Sequence, residues 1–227
     1  MNKAFIDHLS AFITERRMNL FMQVLNERTR YITVVLEDIY QPHNASAVLR
    51  SCDVFGIQDV HIIENNNEYI LNPDVTLGSD KWLSITKYNE ADNNTITALN
   101  SLKSRGYRIV AATPHDTSVQ LNNFNLNRGK VALVFGTELK GLSEQALKNS
   151  DEFVHVPMFG FTESLNISVS AAIILNILTS TLRELNINWH LNEDEEQEIL
   201  KNWLLNSINK SKLIEERFFE NLETDIQ

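Results

Sequence analysis

The sequence has a single cysteine, Cys52, which excludes an internal disulfide and any zinc site built on cysteine pairs. No metal site is expected. Long apolar runs are missing as well. Stretches such as Ala171–Leu175 fall far short of the ~18 to 20 residues of a membrane span, so they read as buried helix and no membrane partner is expected. The opening Met1-Asn2-Lys3-Ala4-Phe5 lacks the basic region, apolar core and small-residue cleavage site of an export leader. A cytoplasmic protein is the expectation. Three catalytic signatures are also absent: G-x-G-x-x-G after a strand, G-x-x-x-x-G-K-[ST], and G-x-S-x-G. A dinucleotide-dependent dehydrogenase, a P-loop NTPase and a nucleophile-elbow hydrolase are left without support.

Positive charge is scarce: 20 Lys and Arg stand against 30 Asp and Glu, a net charge of −10. That balance argues against a broad nucleic-acid-binding surface. Its distribution alters the reading. Residues 186–227 hold ten acids and four bases, whereas residues 1–30 hold five bases and three acids. Any contact with a polyanion must be local, at the N-terminal end.

The 227 residues, 43% hydrophobic, suffice for one large or two small domains with room for a ligand site. Phe5, Leu9, Phe12, Ile13, Leu20, Phe21, Val24 and Leu25 recur at helical spacing, which predicts one or two amphipathic helices over 4–27. Tyr31–Leu36 is a β-branched run suited to a buried parallel strand. Pro42 is expected to end regular structure, and a helix is expected to start at Asn44 as its N-cap. Further strands are expected at Val60–Ile63, Trp82–Ile85, Tyr107–Ala112, Val131–Phe135 and Phe153–Pro157. Helices are expected over 90–105, Leu142–Asn149, Leu165–Leu185, 194–206 and 210–222. Strands alternating with helices predict an α/β fold: a mostly parallel sheet with helices on both faces, plus flanking N- and C-terminal helices. The boundaries read as an N-terminal helical extension at 1–30, a core α/β domain at 31–185 and an acidic helical extension at 186–227.

Three loops follow strand C-termini, where open α/β sheets bind ligands. They are His43-Asn44…Arg50, Gly136-Thr137-Glu138-Leu139-Lys140-Gly141, and Val156-Pro157-Met158…Ser164-Leu165-Asn166-Ile167-Ser168. Taken singly, Asn44 is an ordinary cap, Arg50 a solvated helix charge, Glu138 a helix cap and the glycines plain turns. His155, inside an apolar strand, reads as a packed histidine rather than a base. Together, and in this order, the loops resemble the three motifs of the SpoU/TrmH branch of the SPOUT methyltransferases, over about Arg28 to about Ile177. Pro42-His43-Asn44 and Gly78-Ser79-Asp80-Lys81-Trp82 are similar to the TrmH subgroup, which methylates the 2′-hydroxyl of guanosine 18 in tRNA.

The resemblance implies a C-terminal deep trefoil knot, S-adenosylmethionine as cofactor, an RNA substrate and a homodimer whose site is shared between subunits. It implies cofactor contacts at Ala112, Thr113, Gly136, Val156, Met158 and Leu165. It also implies catalytic roles for Arg50, Asn44, Glu138, Ser164 and Asn166. Guanidinium groups hold their protons too tightly to act as bases, so Arg50 is expected to grip a phosphate and stabilise a developing 2′-alkoxide. RNA contacts are expected at Arg16, Arg17, Arg28, Arg30, His43, Lys81 and Arg183. The sequence departs from the pattern in having Met18, Asn19 and Leu20 where the N-terminal helix is usually basic, and a lone Arg183 after motif 3. Fewer cations mean fewer phosphate contacts. Alternatives are ribosomal RNA or another tRNA position as target, or a non-catalytic knotted RNA-binding protein.

Overall fold

The computed structural model describes residues 2–115, 117–137 and 140–224. They form two compact units, Thr29–Trp189 and the pair of chain ends, 1–28 with 190–227. The stretches expected as two separate extensions thus belong to one unit.

The larger unit is built on a seven-stranded sheet in the order β3-β2-β1-β6-β4-β7-β5, with every pairing parallel. The strands are β1 (Ile32–Glu37), β2 (Asp59–Ile63), β3 (Ser84–Tyr88), β4 (Arg108–Ala112), β5 (Val119–Gln120), β6 (Val131–Phe135) and β7 (Glu152–His155). All residues of β1, β2 and β6 are buried, because sheet neighbours flank each and helices cover both surfaces. Alternate side chains serve the two surfaces. Ile32, Val34 and Leu36 pack with Val131, Leu133 and Phe135 on the side of helices α3 (Pro42–Val54) and α7 (Ile167–Glu184). Val35, Ala132 and Val134 pack on the side of α5 (Asn94–Ser104) and α6 (Glu144–Asn149). A short helix, α4 (Pro73–Thr76), follows β2. The length and hydropathy of α7 reach those of a short membrane span; Ala171, Ile174, Leu175, Leu178 and Leu182 are buried in the core.

Two local expectations are corrected. Pro42 does not end regular structure: it occupies the first turn of α3, and Gln41, not Asn44, is the N-cap. Proline suits that position because its missing N–H would have no helical partner there. The strand expected at Trp82–Ile85 begins later. Ser79–Trp82 forms a single 3₁₀ turn after two left-handed residues, Leu77 and Gly78, and the register Asp59↔Ser84 to Ile63↔Tyr88 sets the strand.

In the smaller unit, α1 (Asn2–Ser10) and α2 (Glu15–Leu25) pack with α8 (Glu193–Ser207). Phe5, Leu9, Phe21, Leu25, Leu200, Trp203 and Leu204 are buried. The acidic run has a local cause. Asn192 and Glu195 form a reciprocal capping box, and Glu193, Asp194, Glu195 and Glu196 fill the first turn of α8, where the helix dipole favours negative charge. The last helix, α9 (Ser211–Thr224), brings Phe218 to 5.0 Å from Phe5, ring centre to ring centre.

Candidate active site

The loop after β6 folds back on itself. Thr137 and Gly141 exchange backbone hydrogen bonds, each amide donating to the other's carbonyl at 3.0 Å. A Cβ on Gly136 would stand 2.4 Å from the carbonyl carbon and oxygen of Gly141 and from the amide nitrogen of Leu142. Only glycine permits that approach, and Gly141 itself sits at φ 67°, a conformation glycine adopts without strain. Glu138, together with Leu139, lies outside the described residues.

This loop walls a cleft at the C-terminal ends of β4, β6 and β7. All six positions expected to touch the cofactor line it: Ala112, Thr113, Gly136, Val156, Met158 and Leu165. Ser164 lines it too. Among the walls not anticipated as cofactor contacts are Leu142, Ile167 and Ile174, whose apolar side chains read as ordinary core. With Ser170, the last two form one stripe of α7 facing the cleft, and i, i+3, i+7 spacing is the only signal that could have shown it. His155 stands at the same cleft, half-buried, with its Nδ1 2.8 Å from Ser118 Oγ. Apolar walls, exposed loop backbone and a glycine cradle without side-chain bulk suit the flat adenine and the ribose of S-adenosylmethionine.

Arg50 lies elsewhere. It is exposed on α3 and lines a separate groove with His43, Ser51, Asp74 and Ala172. Helix α7 stands between the two hollows, Ala172 facing the groove while Ile167, Ser170 and Ile174 face the cleft. Among the described residues, a polar link runs from α3 to α7. Asn44 is buried in the first turn of α3, and its Nδ2 donates to Gln41 Oε1 at 2.9 Å. Its Oδ1 accepts from Asn166 Nδ2 at 3.2 Å. Asn166 in turn caps α7, accepting from the Ser168 amide at 2.8 Å and the Ser168 hydroxyl at 2.6 Å.

The expected RNA contacts separate into two groups. Arg16, Arg17, His43 and Lys81 are exposed. Arg183 is exposed, but its guanidinium donates to the Thr179 and Phe55 carbonyls and lies over the Trp189 ring at 5.4 Å. Arg28 and Arg30 do not present their charge to solvent. Arg28 is 1% exposed and lies over the Trp203 ring at 5.3 Å. Arg30 bonds Asp59 at 3.1 Å, with Arg105 on the other carboxylate oxygen at 3.2 Å. Burial pushes the Asp59 carboxyl above its ordinary range, and the two arginines only partly counter this. Both expected contacts are therefore corrected: an arginine stem covers apolar surface well, and here stacking and ion pairing hold the heads.

An all-parallel sheet with a glycine-cradled apolar cleft at its strand ends, and an arginine-bearing helix nearby, defines an α/β protein with a ligand-sized hollow at the place where such sheets bind small molecules. Sequence comparison gives the family. The model of the SpoU rRNA Methylase family matches residues 31–176, and the chain belongs to that family. It is 47% identical to a tRNA (guanosine(18)-2′-O)-methyltransferase of Borreliella burgdorferi, over 84% of this chain and 85% of that protein. The crystal structure of the Aquifex aeolicus TrmH/SpoU tRNA modifying enzyme is 31% identical, with a TM-score of 0.75 over 86% of this chain and 98% of the other. A SpoU methyltransferase from Streptomyces viridochromogenes, solved in complex with AdoMet, shares the fold at 20% identity, with a TM-score of 0.58 over 71% of this chain and 62% of the other. Enzymes of this family use S-adenosylmethionine, and this chain is an S-adenosylmethionine-dependent methyltransferase.

Proposed function

We propose that the enzyme methylates the ribose 2′-hydroxyl of guanosine 18 in tRNA, in the cytoplasm. The observation that carries the reading is the convergence on one cleft of Gly136 from motif 2, Val156, Met158 and Leu165 from motif 3, and Ala112 and Thr113 at the end of β4, in a chain 47% identical to an enzyme named for that nucleotide. S-adenosylmethionine supplies the methyl group from the cleft. Gly136 and Gly141 keep the loop backbone close to the ligand, and Leu142, Ile167 and Ile174 exclude water from around it. Arg50 holds the phosphate next to the reacting ribose and stabilises the negative charge that develops on the 2′-oxygen. The Asn44–Asn166 link fixes the start of α3 relative to the start of α7, and Ser164 adds a hydroxyl to the polar surroundings of the ribose. The exposed Arg16 and Arg17 of α2, with His43, Lys81 and Arg183, contact the tRNA backbone.

The reading includes two further elements. One is the trefoil knot: β7 lies beyond β4 in the sheet, while the next helix, α7, packs on α3, so the chain runs back across the sheet after β7. The other is a homodimer with shared sites. Arg50 lines a groove apart from its own cleft, and a second copy would bring an Arg50 to each cleft.

The test is incubation with methyl-labelled S-adenosylmethionine and unmodified tRNA transcript. Label is expected in tRNA, and none in a transcript carrying deoxyguanosine at position 18. Label in ribosomal RNA with none in tRNA overturns the substrate, and no label in any RNA overturns the activity.

A further inference from the structure

Glu37 closes β1 on the sheet's interior and is 2% exposed. An aliphatic residue would be the ordinary occupant of such a strand position, so a carboxyl there needs partners. It has them from two directions. Oε1 accepts from the Thr95 hydroxyl of α5 at 2.6 Å and from the Ser143 hydroxyl at 2.7 Å. Oε2 accepts from the Ser143 amide at 2.9 Å. Ser143 also caps α6, its Oγ accepting from the Ala146 amide at 3.1 Å. It directly follows Gly141-Leu142, the segment pressed against Gly136 and lining the cleft.

We infer that Glu37 is a positioning residue for methyl transfer: its carboxyl fixes the far end of the β6 loop to the end of β1, and so sets the wall of the cofactor cleft. The backbone leaves Glu37 little freedom to do otherwise. Glu37 pairs with Ile63 in the sheet, and Asp38 after it is held at φ 55° with its carboxyl accepting from the amides of Asn65, Asn66 and Asn67. A glutamine at 37 would set its own N–H against one of three converging donors. An aspartate, one methylene shorter, would not span to Ser143. The cofactor part of this inference rests on the cleft being the S-adenosylmethionine site; the loop part does not.

The test compares Glu37→Gln and Ser143→Ala with Thr95→Val, which removes the other donor to Glu37 and leaves the Ser143 link intact. Two readouts are used. Hydrogen exchange of the Thr137 and Gly141 amides, measured without cofactor, is expected to quicken by about 10-fold in the first two variants and to stay at the wild-type rate in Thr95→Val. Calorimetric Kd for S-adenosylmethionine is expected to rise about 10-fold in the first two and to change less than about 2-fold in the third, with KM for tRNA unchanged. Equal effects in Thr95→Val and Glu37→Gln, or none in Glu37→Gln, overturn the inference. If the wild-type protein does not bind S-adenosylmethionine, the cleft assignment fails and Glu37 is judged on exchange alone.

Discussion

Asn166, the cap of α7, donates through Nδ2 to Oδ1 of Asn44 in the first turn of α3, at 3.2 Å. The bond joins motif 1 to motif 3, and with them the two helices that border the cleft and the Arg50 groove.

Breaking that pair is expected to be non-additive. Asn44→Ala removes a buried amide that also bonds Gln41, and is expected to cost roughly 1–3 kcal/mol of stability. Asn166→Ala uncaps α7 and is expected to cost about 1 kcal/mol. The double variant should cost less than the sum, read from urea unfolding midpoints. Misplaced helix starts are expected to lower kcat by about 10²-fold in either single variant. Additive losses would mean the contact does not couple the helices.

Arg50 is exposed, so Arg50→Ala should leave stability within about 0.5 kcal/mol of wild type while lowering methyl transfer by about 10²- to 10³-fold. Arg50→Lys should recover little of this, since a point charge does not reproduce a planar fork of donors. Mixing Arg50→Ala subunits with Gly136→Val subunits after mild dissociation checks the shared site. Activity should return in the mixture, because one cleft of the hybrid pairs an intact Gly136 with an intact Arg50. A mixture as inactive as its parts argues for sites complete within one chain.

Gly136→Ala is the smallest change that probes the cradle. The added methyl has no rotamer by which to avoid backbone atoms 2.4 Å away, so the loop itself must shift. Calorimetry is expected to show S-adenosylmethionine affinity down by about 10-fold or more, whereas Gly160→Ala, with open space around its Cβ, should bind normally.

His61 gives the fold an acid sensitivity of known sign. Burial, and then the charge of Arg105, lower its pKa from the ordinary 6.5 to about 4, and its Nδ1 sits 3.2 Å from the Tyr88 hydroxyl. Above pH 6.5 the ring is neutral in folded and unfolded chains alike, and its contribution is constant. Between pH 6.5 and about 4 the unfolded chain takes up a proton that the folded chain refuses, so stability falls as pH falls. At pH 5 the loss is expected to be about 2 kcal/mol. Urea titrations at pH 7.5 and 5.0 should show that extra loss in the wild type and not in His61→Gln. The Asp59 carboxyl, pushed up by burial, acts in the opposite sense: the folded chain takes up its proton before the unfolded chain does, so this contribution rises as pH falls toward the ordinary carboxylate range.

The arginines near the N-terminus should divide by burial. Arg28→Ala, losing its stack on Trp203, is expected to destabilise by roughly 2 kcal/mol with no change in tRNA affinity per folded molecule. Arg16→Ala, fully on the surface, is expected to leave the unfolding midpoint unchanged and to reduce the slope of log affinity against log salt by about 0.7 to 0.9. Filter binding at several salt concentrations, beside thermal melts, separates the two.

The strands that carry the fold were legible because burial on both surfaces makes a continuous β-branched run, and Val131–Phe135 matches its observed strand at both ends. The edge was not. β3 alternates only weakly between half-buried and exposed positions, and β5 is two residues long, too short for any period to register. Pro42 misled because proline reads as a stop from one side and as a helix start from the other. The cleft was legible through its loops, whose glycines and polar residues have few other reasons to recur together. Its apolar walls were not, since Ile167 and Ile174 look the same whether they face a ligand or a core. Arg28 and Arg30 were misjudged because their partners, Trp203 and Asp59, lie in other elements, and no local pattern announces a buried guanidinium. Glu37 was hidden for the same reason: Ser143 meets it only in the folded chain.

The two chain ends share one unit, and this dictates an order of events during synthesis. Helices α1 and α2 leave the ribosome long before α8, whose Trp203 meets Phe21 edge-on and lies under Arg28. At ~5 to 20 residues per second, the apolar stripe of the first two helices waits roughly ten to forty seconds for its cover. The sheet unit, complete at Trp189, has time to form in that interval. A nascent chain halted before α8 should therefore hold a finished sheet unit, with its cleft, and uncovered apolar faces on α1 and α2, the state in which a holdase would find it.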